Sequence, residues 1–216
     1  MATIIPAILE ENFENFESKL SQILKIPDVS TIQVDFSDGE FAPHKTLSIA
    51  ELELLNPAYT WEAHLMVKDP RAYFFDAKLL GFSKIIFHYE ALQNKNDLPA
   101  LAEEISELKM TPVLAFEAET DPEQALPYLN IFGNFLILAV HPGYQAQEIL
   151  PQTINHLKNL RNHVKNAIIE VDGGVKIENI QELYNAGADN FVVGSALFEG
   201  NTPAQNFEKL IQEIKT

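Results

Sequence analysis

Two periods alternate along the chain. Short runs rich in Ile, Val and Phe are followed by longer stretches whose apolar residues recur at helical spacing, the pattern of repeated strand–helix units in a parallel sheet. The runs predict eight strands, near Thr3 to Ile8, Thr31 to Phe36, Thr60 to Met66, Lys84 to His88, Pro112 to Phe116, Phe135 to Val140, Ala167 to Val171 and Phe191 to Val193. The stretches between them predict helices near Phe13 to Leu24, Ile49 to Leu55, Pro70 to Leu80, Leu98 to Leu108, Pro122 to Leu129, Pro151 to Leu160, Ile177 to Ala186 and Pro203 to Ile214. Asp69-Pro70, Asp121-Pro122 and Thr202-Pro203 each set a capping-type side chain before a proline, and Gly81 and Gly187 follow helix ends. Eight such units fit an α/β fold of the closed (β/α)8 TIM-barrel type better than an open doubly wound sheet. With no linker or break in composition, residues 1–216 are expected to form a single barrel domain.

One strand departs from the apolar pattern. In TIQVDFS, Ile32, Val34 and Phe36 alternate with Gln33, Asp35 and Ser37, so the polar set shares one face. Glu62 with His64, and Glu170 with Asp172, repeat the arrangement on the third and seventh strands. If these faces point into the barrel, ionisable groups converge near its C-terminal mouth, where barrels of this class carry out their chemistry. Taken singly, His88 and Glu170 read as buried structural groups, and His64 is open between that role and a ligand. Asp35 and Asp172 stand at strand ends directly before turns, placed to flank a ligand from opposite sides.

Charge narrows the ligand. The chain has 15 Lys and Arg against 31 Asp and Glu, a formal charge of -16, which repels nucleic acid and anionic lipid. It has no cysteine, and neither a signal-type N-terminus nor an apolar run of the roughly 20 residues needed to span a membrane. The expectation is a cytoplasmic protein with no nucleic-acid or membrane partner. An acidic chain can still hold a phosphorylated metabolite through backbone N–H groups. The turns VDGGV at 171–175 and VVGSALF at 192–198 follow the seventh and eighth strands, where such barrels commonly bind phosphate. Gly173, Gly174, Gly194 and Ser195 are therefore candidate phosphate contacts.

The chain resembles the ribulose-phosphate 3-epimerase family through IIPAIL at 4–9, VDFSDGEFAP at 34–43, AHLMV at 63–67, FHYEA at 87–91, HPGY at 141–144, EVDGGV at 170–175 and GADNFVVGSALF at 187–198. The resemblance implies a barrel of the ribulose-phosphate binding type that interconverts ribulose 5-phosphate and xylulose 5-phosphate, with a divalent metal such as zinc, manganese, iron or magnesium. It assigns Asp35 and Asp172 as the two acid/base groups. It makes Asp35, His64 and Asp172 metal ligands, with Gln33 at the fourth position. Ala7, His64, Met66, Gly143, Tyr144, Gln145, Ala146, Gly173, Gly174, Gly194 and Ser195 match its substrate and phosphate contacts.

The same resemblance exposes departures. Gln33 stands where the family has histidine, Ala7 where it has serine, and Ser37 and Leu138 where it has methionine; Gln145 and Ala146 replace two glycines of its GFGGQ loop, which reads Gly143, Tyr144, Gln145, Ala146, Gln147 here. A glutamine carbonyl is a harder, neutral ligand than imidazole and suits magnesium, calcium or manganese better than zinc. Two carboxylates without a full metal charge between them repel, which raises one pKa. His44 and His141 lie in loops at the same end as substitute ligands. Three readings fit: an epimerase with a weakened or exchanged metal site, an epimerase for another ketose phosphate, or a phosphosugar-binding protein that has lost catalysis. Association into a homo-oligomer through helical faces is a further expectation.

Overall fold

A computed structural model describes residues 2–143 and 147–214. Eight parallel strands, β1 (Thr3–Ile8), β2 (Thr31–Ser37), β3 (Thr60–Met66), β4 (Lys84–His88), β5 (Thr111–Phe116), β6 (Asn134–Leu138), β7 (Ile168–Asp172) and β8 (Asn190–Val193), close into a barrel in chain order. Helices α1 (Phe13–Ile23), α2 (Phe74–Leu80), α3 (Leu98–Glu107), α4 (Thr153–His163), α5 (Ile177–Ala186), α6 (Ser195–Phe198) and α7 (Pro203–Ile214) lie between and after them. The expected (β/α)8 TIM barrel is the observed fold.

Every strand is covered on both faces, inside by its neighbours and outside by helices, which is why the strands read as nearly continuous apolar runs. Phe36 and Phe82 pack edge to face at 5.8 Å in the outer layer, while Trp61, Phe87, Phe116 and Phe135 are fully enclosed. Each such side chain contributes about 1.5–3 kcal/mol by leaving water.

The inner layer alternates around the barrel. Ile86, Val113, Ala115, Leu136 and Leu138 of β4 to β6 form one apolar cluster, and Ile5, Ala7 and Val192 of β1 and β8 form another. The buried polar residues Gln33, Asp35, Glu62 and His64 of β2 and β3, and Glu170 and Asp172 of β7, stand between them. Register pairs Gln33 with Glu62 and Asp35 with His64, which stacks the polar residues in two levels along the barrel.

Two expected helices do not form. The stretch near Ile49 to Leu55 makes one 3-10 turn, Ile49–Glu51, closed by a Ser48–Glu51 capping box. Beyond it the chain extends, and Leu55 N–H donates to Leu80 O at the end of α2, a tertiary partner that replaces the next helical bond. The stretch near Pro122 to Leu129 breaks into two 3-10 turns, Pro122–Ala125 and Leu129–Ile131. Pro127 between them has no N–H to continue a helix. Asp121 caps its turn through Glu123 N–H at 3.0 Å, whereas Asp69 makes no capping bond. Gly81 and Gly187 take the left-handed conformation that closes α2 and α5.

Candidate active site

The inward file of β2 answers to that of β3 and β7 at one point. Gln33 precedes Asp35 by one inward position, and its longer side chain lifts the carboxamide to the level of the acids. Gln33 Nε2 donates to Asp35 Oδ1 at 2.7 Å and to Asp172 Oδ2 at 2.8 Å. His64 Nδ1 lies 3.0 Å from Asp35 Oδ1 and 3.1 Å from Asp172 Oδ2. All four side chains are buried.

Burial raises Asp35 above the usual carboxylate range, and the neighbouring Asp172 charge adds to it, although hydrogen bonds from His64 and Gln33 pull the other way. The repulsion expected of two acids sharing a site is therefore present, but second to burial. Burial alone would lower the His64 imidazolium, yet Asp172 and Asp35 outweigh it and hold the group up at about 10. Behind it, His64 Nε2 and His88 Nε2 are 2.9 Å apart, so one proton lies between them. Burial lowers His88, which makes it the acceptor of the His64 Nε2–H. The remaining nitrogen, His88 Nδ1, sits 3.5 Å from Glu90 Oε2. His88 thus backs His64, which its reading as a lone buried histidine did not anticipate. Glu170 is structural as expected: with Glu62 it pairs with Lys84 in the level below.

A cavity open to solvent lies over the acids. Asp35, His64 and Asp172 form its floor, Ala7, Met66, Leu138 and Val140 its wall, and the turns at Gly173-Gly174 and Gly194-Ser195 its rim. Gly173 and Gly174 both have positive φ, 90° and 67°, and a Cβ on Gly173 would collide with Val140 Cγ2. At Gly194 an added Cβ would meet nothing within 4 Å, so bare backbone faces open space there. Gly143 also lines the cavity, and Tyr144, Gln145 and Ala146 lie outside the described residues. Ser37 does not reach the cavity; its hydroxyl donates to His44 O at 2.5 Å and pins the loop after β2. Lys19 and Lys176 do line it, two cations that strand-end reasoning missed because both belong to helices or their caps.

Asp35, His64 and Asp172 offer ligand atoms within 4.8 Å of one another and could hold a metal ion. Among the described residues neither His44 nor His141 joins that group. The fourth member does not fit one. Gln33 aims its N–H donors, not a lone pair, at the point where the acids converge, and its Oε1 is buried without a partner.

A closed parallel barrel with an acid pair on the floor of its C-terminal cavity and glycine turns at the rim defines a (β/α)8 enzyme-type site. Residues 3–198 match the Ribulose-phosphate 3 epimerase family. Ribulose-phosphate 3-epimerase of Escherichia coli is 31% identical over 221 residues, covering 99% of this chain and 94% of that protein. The enzyme of that name from Schizosaccharomyces pombe is 28% identical, covering 94% and 90%. The chain belongs to the ribulose-phosphate 3-epimerase family. Among solved structures, 3-hexulose-6-phosphate synthase from Salmonella typhimurium superposes with a TM-score of 0.71 at 18% identity, over 100% of this chain and 99% of that one. At that identity the likeness concerns the fold alone.

Proposed function

We propose that this protein is a working epimerase that interconverts ribulose 5-phosphate and xylulose 5-phosphate through an enediolate, with Asp35 and Asp172 as the two acid/base groups. The observation that carries the reading is the pair itself. Two carboxylates from β2 and β7 meet on the floor of one cavity, beside glycine turns suited to phosphate.

Epimerisation beside a ketone breaks the C3–H bond on one face, and its electron pair forms C2=C3 as the C2 oxygen takes negative charge. A proton then returns to C3 from the other face. That sequence needs one group ready to accept a proton and another ready to give one. The raised pKa of Asp35 suits alternation between the two states. The His64 imidazolium lies in hydrogen-bond contact with both acids and supplies positive charge close to the developing enediolate. The phosphate is assigned to the backbone N–H groups around Gly173-Gly174 and Gly194-Ser195, with Lys176 at the cavity edge.

Proton NMR of ribulose 5-phosphate in deuterated buffer tests the reading. The wild-type protein is expected to replace the C3 hydrogen with deuterium while xylulose 5-phosphate appears. Asp35→Asn and Asp172→Asn are each expected to lose turnover by about 10²–10⁴-fold, the usual contribution of a positioned acid or base. Undiminished exchange in both variants removes the assigned roles; exchange confined to another ketose phosphate moves the substrate.

A further inference from the structure

We propose that the Gln33 carboxamide stands in the cation's place in this chain, bridging the two acids with its N–H groups, so that the site is organised without a divalent metal. The inference rests on the epimerase reading for its functional meaning, but its physical content is a statement about what binds between Asp35, His64 and Asp172.

The donor count favours this arrangement. The two hydrogens of Gln33 Nε2 go to Asp35 Oδ1 at 2.7 Å and Asp172 Oδ2 at 2.8 Å, and His64 Nδ1 approaches the same two oxygens at 3.0 and 3.1 Å. Gln33 Nε2 and His64 Nδ1 are 3.3 Å apart, so the amide nitrogen stands against all three would-be ligand atoms. Two facing carboxylate oxygens thus meet three N–H donors. Turning the amide over would set Oε1 at those same short distances from two carboxylate oxygens, acceptor against acceptor. The present orientation is therefore fixed unless a cation enters, and it leaves Oε1 buried without a partner. The unsatisfied Oε1 carries a desolvation cost, which is offset where the other end of the same side chain satisfies two buried acids.

Length matters as much as chemistry. Gln33 reaches the acids from one inward position below Asp35, a distance that asparagine, one methylene shorter, does not span. The bonds described for the pair fall on Asp35 Oδ1 and Asp172 Oδ2 and do not use the second oxygen of either carboxylate.

Metal content of the purified wild-type protein, and calorimetric titration with zinc and with manganese, read the site without recourse to turnover. Wild type is expected to carry substoichiometric metal and to give no saturable binding. Gln33→His, which presents a ring lone pair instead of N–H donors, is expected to gain one site. The gain should be at least the roughly 10–100-fold in affinity that even an outer-shell partner of a metal ligand is worth. One equivalent of metal in the wild type that disappears in Asp172→Asn overturns the proposal. Should Gln33→His fail to fold by circular dichroism, the wild-type titration decides alone. Deuterium exchange after chelator treatment separates the two readings. Exchange that survives chelation supports both, exchange lost on chelation and restored by zinc or manganese defeats only this one, and no exchange with or without added metal defeats only the epimerase.

Discussion

Gly173 shows how closely single residues are specified at the cavity rim. It has φ of 90° and sits against Val140, whose Cγ2 an added Cβ would overlap. Gly173→Ala is expected to cost about 1–2 kcal/mol from the left-handed backbone alone, plus the displacement of Val140. A chemical denaturation midpoint measures the loss, and an unchanged midpoint would show that the turn relaxes. Gly194→Ala is the contrast, since its Cβ would enter open space; it should fold normally and weaken phosphate binding, read as inorganic phosphate inhibition of turnover. Both glycines were legible in the sequence as rim residues. Their different reasons were not, because those depend on neighbours from other elements.

Elements are joined by a few polar clamps, and Arg161 of α4 is the most connected. Its guanidinium donates to the carbonyls of Val164, Ala167 and Gly187 and pairs with the Asp189 carboxylate. It therefore closes its own helix and ties the end of α5 to the start of β8. Arg161→Lys keeps the charge but not the fork of donors, and should lower stability by roughly 0.5–1.5 kcal/mol as half-buried carbonyls lose partners. Equal melting temperatures for the two proteins would refute that role. The same scale explains the two failed helices. Pro127 was visible in the sequence as a breaker inside the Pro122 to Leu129 stretch, whereas the end of the Ile49 to Leu55 stretch was decided by Leu80 O, which no local pattern reveals.

At the scale of the whole molecule, the barrel interior holds a second ionic level beneath the site. Lys84 pairs with both Glu62 and Glu170, and Asn190 Nδ2 also donates to Glu170 at 3.3 Å. Burial and the Glu170 charge push Glu62 up to about 8 from its ordinary 4.5. Between these values the folded chain keeps a proton that the unfolded chain has released. That contribution to stability is fully present below about 4.5 and is lost as pH rises through 8. Lys84 is also raised, so its own contribution changes only at higher pH and does not cancel this slope. Glu62→Gln should flatten the dependence of melting temperature on pH between about 4.5 and 8, with its largest gain over wild type at the alkaline end. Parallel wild-type and variant profiles would show that Glu62 is ionised throughout.

The sequence by itself determined the barrel, because strand and helix periods are local and repeat eight times, and it singled out Asp35, His64 and Asp172, because ionisable residues on an apolar strand stand out against their neighbours. It also marked Gln33 as the departure. What Gln33 does there was decided only by tertiary structure. Sequence reading treated its carbonyl as a weak ligand, whereas in the folded chain two acids from β2 and β7 reach the same point and select the N–H end of the amide. That choice depends on electrostatics among groups 31 and 139 residues away from Gln33, and closing the barrel is what brings them within hydrogen-bond distance.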